Sequence, residues 1–111
     1  MSDLIEKRCL PCEGGIPALT PSYAQALLKQ TPQWTLNADS TRITRQFDFK
    51  DFHQTMAFVN AVAWIAHRED HHPDLEVGYN RCVVHYSTHA VKGLTENDFI
   101  CAAKINRLML G

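Results

Sequence analysis

Three of the chain's six histidines fall within residues 66–80, AHREDHHPDLEVGYN, as His67, His71 and His72. A fourth, His89, follows a strand-like run and precedes a loop that contains a glycine. Imidazole titrates near neutral pH and binds transition metals, so such a cluster can transfer protons, hold a metal ion or respond to pH. We therefore expect the chemistry of the chain at the end of one helix and at a nearby strand end.

Three interpretations of these histidines stay open on the residues alone. His67 and His71 are four apart, a spacing that lets two imidazoles share a cation on a helix. A zincin motif would need glutamate where the chain has Arg68, and Pro73 ends the helix soon afterwards. The second interpretation is a solvated helix end, where basic side chains complement the helix dipole. The third is general acid and base catalysis by two or three imidazoles around one pocket.

Length and composition limit the possible classes of protein. The chain has 111 residues, of which 45% are apolar, so we expect one domain with an ordinary core. A formal net charge of -1 argues against nucleic acid as a partner. No apolar run has the length of a membrane-spanning helix, and the N-terminus lacks the pattern of a signal peptide. We predict a cytoplasmic protein with no nucleic-acid or membrane partner.

The four cysteines are expected to be free thiols. Cys9 and Cys12 have C-x2-C spacing, but no second ligand pair for zinc is visible and no strand precedes them as in a thioredoxin motif. Cys82 and Cys101 lie within periodic apolar segments, which predicts small core residues. The sequence thus predicts neither a metal site nor a redox site in the N-terminal arm.

Two regions are predicted. Residues 1–19 contain two prolines and two glycines and indicate an irregular N-terminal arm, and residues 20–111 form one domain. Within this domain, capping residues predict three helices: one after Thr20, a long one from Asp51 to about 69–71, and a last one after Thr95. Apolar periodicity predicts four strands, at 34–37, 41–49, 75–80 and 81–89. The order α-β-β-α-β-β-α predicts an α+β two-layer sandwich, a four-stranded antiparallel sheet with three helices on one face.

The apolar pattern also predicts packing. A wide stripe on the long helix, residues 52–66, exceeds what one sheet contact needs and favours a homo-oligomer. Trp34 and Trp64 are expected in the core or an interface. Leu108 and Met109 are expected to face inward, and the outer sheet face to be comparatively polar.

The arrangement His67-x3-His71-His72-Pro73-x5-Tyr79-x9-His89-x8-Asp98 resembles the signature of the pterin-4a-carbinolamine dehydratases. The segment 87–105, STHAVKGLTENDFICAAKI, looks like that family's strand–loop–helix segment. The segment 7–15, KRCLPCEGG, is similar to the N-terminal arm of many bacterial members. Together these segments extend the resemblance over nearly the whole chain.

The resemblance implies the dehydration of 4a-hydroxytetrahydropterin to quinonoid dihydropterin and water. This reaction recycles the pterin cofactor of aromatic amino acid hydroxylases, so a functional link to a phenylalanine hydroxylase is expected. The family uses no metal or organic cofactor and forms homodimers or homotetramers.

The resemblance also implies roles for particular residues. It places His71 and His89 as acid and base, without deciding which is which. His72 would bind and orient the pterin and share in the proton transfer. Asp98 would support the site by orienting a histidine, although Thr95-x-x-Asp98 also matches the pattern of a helix capping box.

The remaining motif positions are His67 and Tyr79. His67 would support the site from the position where many members carry glutamate. Tyr79 would bind substrate at the pocket rim through its hydroxyl, with its ring mostly packed. His53 and His85 fall outside the motif and are expected to be ordinary, partly solvated residues.

Two other classes of function are weighed against the dehydratase. One is a non-catalytic dimerisation or regulatory binding module of the same fold. The other is a small metal-binding protein. Pterin dehydration activity would separate the dehydratase from both, and stoichiometric zinc would favour the last.

Overall fold

The structure is a computed structural model that describes residues 4–11 and 17–110. Its elements follow the predicted order, with two additional short 3-10 turns. They are a 3-10 turn at Leu4–Glu6, α1 at Pro21–Leu28, β1 at Thr35–Leu36, β2 at Ile43–Asp48, α2 at Phe52–Glu69, β3 at Asp74–Val77, β4 at Arg81–Tyr86, a 3-10 turn at His89–Val91, and α3 at Glu96–Leu108.

The four strands form one antiparallel sheet in the order β1-β2-β4-β3. The central pair is the longest, running from Ile43 opposite Tyr86 to Asp48 opposite Arg81. The predicted α+β fold, with three helices and a four-stranded antiparallel sheet, is confirmed. Because β3 and β4 are antiparallel, with Asp74 opposite His85, the exit of α2 and the end of β4 lie at the same end of the sheet.

The core lies between the sheet and the helices. Alternate residues of β2 and β4 point into it, and α3 is buried along most of its length because side chains on several of its faces are covered. Fully buried members include Ile43, Val84, Tyr86, Phe99, Cys101 and Ile105. The opposite face of the sheet carries Thr44, Gln46, Glu76 and His85, as expected for a polar face.

Within the single chain, helix α2 buries part of its apolar stripe, and the prediction that a partner copy covers the rest stays a prediction. The side chain of Asp51 accepts a hydrogen bond from the Gln54 amide and begins the helix, and Phe58 and Val62 pack into the core. However, Phe52 is 47% exposed and Trp64 is 61% exposed. The alternative that places Trp64 in the core is therefore wrong for the single chain, because its face of α2 points away from the sheet.

The ends of the chain depart from the prediction in opposite directions. Leu108 and Met109 were expected inside but are 41% and 42% exposed, because α3 ends there and its last turn stays partly open within the described residues. The described part of the arm contains a 3-10 turn that the sequence did not predict. Leu4 is buried in its 3-10 turn, and the Lys104 ammonium donates to the Ile5 carbonyl at 2.8 Å. Cys12 lies outside the described residues.

Candidate active site

The exit of α2 turns sharply and directs His71 inward. Asp70 adopts a left-handed conformation (φ 52°, ψ 43°), and its amide donates to the carbonyls of Ala66 and His67. The His71 amide then donates to the Ala66 carbonyl at 3.1 Å. Since Pro73 follows His72 and cannot continue the helix, the chain enters β3, and the two histidines stay at the junction.

His71 is held by a buried carboxylate and a buried aromatic ring. Its Nε2–H donates to Asp98 Oδ1 at 2.5 Å, and its ring stacks on that of Tyr86 with centroids 5.4 Å apart. The side chain of His71 is 13% exposed, and that of Asp98 is fully buried. Burial alone would lower the pKa of His71, but the hydrogen bond and charge of Asp98 outweigh it and raise the pKa above its ordinary value. Because the carboxylate accepts from Nε2–H, a second proton on the protonated ring is carried by Nδ1.

Asp98 combines the two roles that the sequence left open. Its Oδ2 accepts from the Thr95 amide at 3.0 Å and completes the capping box that begins α3. The same oxygen accepts from Thr88 Oγ1 at 2.8 Å, while Oδ1 faces His71. Capping thus fixes the carboxylate that orients the imidazole, because both oxygens are held in place.

A cavity of about 380 Å³ opens in front of these residues. His71, His72 and His89 all border it, so the structure brings together the three predicted catalytic histidines. The full lining is Cys9, Leu10, Pro11, Glu69, Asp70, His71, His72, Ser87, Thr88, His89, Ala90 and Asn97. This volume lies within the range of small-molecule sites in proteins.

His72 and His89 are exposed at the cavity, with ring centroids 6.4 Å apart and planes inclined by 28°. His72 Nδ1–H donates to the Pro73 carbonyl at 3.2 Å, since a carbonyl oxygen can only accept. Neutral His72 therefore presents Nε2 as an acceptor. His89 begins the 3-10 turn that follows β4.

The N-terminal arm forms one wall of the cavity, which the sequence did not predict. The Cys9 amide donates to Glu69 Oε1 at 2.8 Å, and Leu10 exchanges two hydrogen bonds with the side chain of Asn97. The buried Glu69 carboxylate also pairs with Arg8 and, at 3.8 Å, with Lys104. The sequence does contain a signal for Glu69. An acid in the last turn of a helix interacts unfavourably with the helix dipole, which indicates that another interaction holds it there.

Two predicted site residues do not reach the cavity in the single chain. His67 is exposed, and its ring contacts that of Trp64 with centroids 5.4 Å apart. Tyr79 is 66% exposed at the β3–β4 turn, at the far end of that hairpin from His72. The expectation that the ring of Tyr79 is mostly packed is therefore wrong for the single chain, although Thr55 of α2 donates a hydrogen bond to the Tyr79 carbonyl.

The two histidines outside the motif also lie away from the cavity. His53 is exposed near the start of α2. His85 is less solvated than expected: its side chain is 12% exposed on the outer face of the sheet. Its ring is held between Thr44 Oγ1 at 2.8 Å and Glu76 Oε2 at 2.5 Å.

Within residues 4–11 and 17–110, no group of three or more His, Cys, Asp or Glu side chains is arranged to hold a metal ion. His67 and His71 do not converge, because one is exposed and the other is bonded to Asp98. In the same part of the chain, no helix combines the length and the apolar character needed to cross a bilayer.

Comparison with known proteins matches residues 17–108 to the model of the family described as Pterin 4 alpha carbinolamine dehydratase. This chain belongs to that family. A relative from Nitrosomonas eutropha, provisionally named a pterin-4-alpha-carbinolamine dehydratase, is 59% identical over 97% of this chain and 95% of its own. A relative from Legionella pneumophila with the same provisional name is 56% identical over 98% and 97% of the two chains. The relatives therefore include the N-terminal arm, which lies largely outside the family match.

Solved structures of the dehydratase family have the same fold. A transcriptional coactivator/pterin dehydratase from Brucella melitensis is 36% identical, with a TM-score of 0.78 over 82% of this chain and 97% of its own. A pterin dehydratase-like protein described as a RuBisCO assembly factor in the alpha-carboxysome is 21% identical, with a TM-score of 0.60 over 68% of this chain and 88% of its own. The second likeness shows the fold alone.

Proposed function

We propose that this member of the dehydratase family converts 4a-hydroxytetrahydropterin to quinonoid dihydropterin and water by histidine general acid and base catalysis. Family membership and the names of the relatives support the reaction. The observation that carries the mechanism is the cavity bordered by three histidines, one of them bonded to a fully buried carboxylate.

In this mechanism His71 is the general acid. The negative charge of Asp98 favours the imidazolium form and occupies Nε2–H, so Nδ1–H is the proton available to the substrate. The C4a–O bond breaks with its electron pair remaining on oxygen, and the proton from His71 converts the departing hydroxyl to water. A hydroxyl is a poor leaving group, so protonation as it departs lowers the barrier.

The matching base is His89. It removes the N5 proton, and the N5–H electron pair forms the C4a=N5 double bond as the hydroxyl leaves C4a. His89 gains one proton and His71 loses one. Proton exchange with solvent then returns both residues to their starting forms. His89 suits this role because its ring is exposed at the cavity and can meet both the substrate and water.

His72 is the orienting residue. Its Nδ1–H is occupied by the Pro73 carbonyl, which leaves Nε2 to accept a hydrogen bond from an N–H of the pterin. His67 and Tyr79 stay predictions that rest on the sequence resemblance alone. The cytoplasmic location, the homo-oligomer and the functional link to a phenylalanine hydroxylase also stay predictions.

The test measures dehydration of freshly generated 4a-hydroxytetrahydropterin after subtraction of the spontaneous reaction. We expect the purified protein to accelerate dehydration, and His89→Asn to lower kcat/KM by about 10²-fold. His53→Asn is the matched control, because His53 is an exposed histidine away from the cavity. A folded protein that does not accelerate dehydration would refute the proposal that this chain is an enzyme. If that protein still bound a reduced pterin, the non-catalytic binding module would be favoured instead.

A further inference from the structure

Two thiols meet at the junction of the arm and α3, close to His71. The sulfur atoms of Cys9 and Cys101 are 3.6 Å apart, although the residues are 92 positions apart in the chain. Cys9 is half-buried and borders the cavity, whereas Cys101 is fully buried in α3. Neither thiol has a role in the dehydration mechanism above.

The two sulfur atoms are brought together by anchors on both sides. The Cys9 amide is held by Glu69, and the next residue, Leu10, is held by Asn97 from the first turn of α3. Cys9 Sγ also lies 3.6 Å from the Asn97 carbonyl oxygen, so the side chain is directed at α3. The contact between the thiols therefore follows from how the arm docks, because the arm's backbone is fixed next to the helix that carries Cys101.

We propose that Cys9 and Cys101 are a redox pair, which a two-electron oxidant such as hydrogen peroxide converts into a disulfide that fastens the arm wall of the cavity to α3. A disulfide has an S–S length of about 2.05 Å, so the sulfur atoms must approach by about 1.5 Å. The pair is a modification site, and its existence does not depend on the proposed dehydration.

The chemistry balances with peroxide as the only co-reactant. The Cys9 sulfur, which borders the cavity, attacks one peroxide oxygen; the O–O bond breaks, and Cys9 sulfenic acid and one water form. The Cys101 sulfur then attacks the Cys9 sulfur, the S–O bond breaks, and a second water leaves. The two thiols lose two electrons and two protons, and the peroxide is reduced to two molecules of water.

The contact between the two thiols also shifts their pKa values. The hydrogen bond with Cys9 lowers the pKa of Cys101 even though burial opposes this change. The same hydrogen bond, together with burial, raises the pKa of Cys9. Access to the cavity assigns the first step to Cys9, because Cys101 is fully buried. That step should be slow, because the raised pKa of Cys9 disfavours its thiolate.

The bond would join the start of the chain to its last helix and close a loop of nearly the whole domain. Cross-links that close long loops reduce the freedom of the unfolded chain most strongly. We expect a rise in Tm of about 10 °C or more for the oxidised protein. Because the thiols already touch in the folded state, little native strain should offset this gain.

The experiment uses the full chain, treated with hydrogen peroxide, alkylated and mapped by peptide mass spectrometry. We expect a Cys9–Cys101 disulfide together with the rise in Tm, both reversed by dithiothreitol. Reduction of the same sample is the internal control. Dithiothreitol reduces a disulfide but not oxidised methionine, so a change in Tm that it reverses comes from the disulfide. Cys82→Ser is the matched control: this buried cysteine lies on β4, and its variant should still form the bond. Cys9→Ser, at a half-buried position, should lose it.

Several outcomes would overturn the proposal. One is a chain in which both thiols stay reduced although it is folded and treated with excess peroxide. Another is a disulfide that maps to Cys9 and Cys12, which are only three positions apart in the sequence. The variant Cys12→Ser distinguishes the two disulfides, since it should keep the Cys9–Cys101 bond. A Cys9–Cys101 bond that leaves Tm unchanged would also refute the claim that it fastens the folded arm.

Discussion

Replacing Asp98 by Asn tests the pairing of the buried carboxylate with His71. The Asn side chain has the same shape but one acceptor oxygen instead of two. Its oxygen can keep the bonds that Asp98 Oδ2 accepts from Thr88 and Thr95, so the start of α3 should survive. The amide nitrogen would then face His71 Nε2 and donate to it, which reverses the direction of the hydrogen bond.

The reversal removes the interaction that favours the imidazolium. Hydrogen bonds to charged groups contribute about 1.5–3 kcal/mol, and about 1.4 kcal/mol corresponds to a factor of ten. We therefore expect kcat/KM of Asp98→Asn to fall by about 10- to 100-fold near pH 8. Burial of His71 remains and lowers its pKa, and only the smaller effects of Cys101 and Asp70 then oppose it. The defect should shrink as the pH falls, because acid restores the protonated form in the variant as well.

The assay is the ratio of kcat/KM for wild type and variant across pH, in which ionisations shared by both proteins cancel. Asp39→Asn removes the same charge from an exposed turn and serves as the control. A raised folded pKa of His71 also stabilises the fold below the unfolded histidine pKa of about 6.5, and that gain is lost as pH rises through the folded value. Thermal unfolding of the wild type should show this loss, and Asp98→Asn should not. A folded variant with an unchanged kcat/KM would refute the role assigned to the carboxylate.

Three further predictions concern the histidines, metal and assembly. His71→Ala or His89→Ala should each lower kcat/KM by about 10²-fold, and the double variant should be less than additive because the two act as one unit. His72→Ala should act more through KM, whereas His53→Ala should leave both parameters nearly unchanged; an equal loss in folded His53→Ala would place the site elsewhere. Dehydration should survive exhaustive treatment with EDTA, and a loss that zinc restores would contradict metal-free acid–base catalysis. Light scattering at micromolar concentration should give a dimer or tetramer, since Trp64 is exposed on α2; a sharp monomer mass would contradict this.

The sequence predicted well those features that depend on neighbouring residues. Thr20 with Pro21, Asp51 and Thr95 mark where the three helices begin, and Pro73 marks where the chain leaves α2, because capping and ring geometry act within a few residues. Apolar periodicity predicted the strands and thereby the order of elements. Periodicity also identified the apolar face of α2, but it does not say how much of that face the rest of the same chain covers.

For the site, the sequence by itself determined which residue types are available and that His71 and His72 stand at a helix exit. Only the tertiary structure decided which of them meet. Asp98 lies 27 residues from His71 and Cys101 lies 92 residues from Cys9, yet each pair is in contact. Such contacts arise when the arm, α2 and α3 pack around one core, so they depend on the arrangement of the whole domain. No local pattern encodes that arrangement, which is also why the exposure of Tyr79 and the arm wall of the cavity emerged only from the fold.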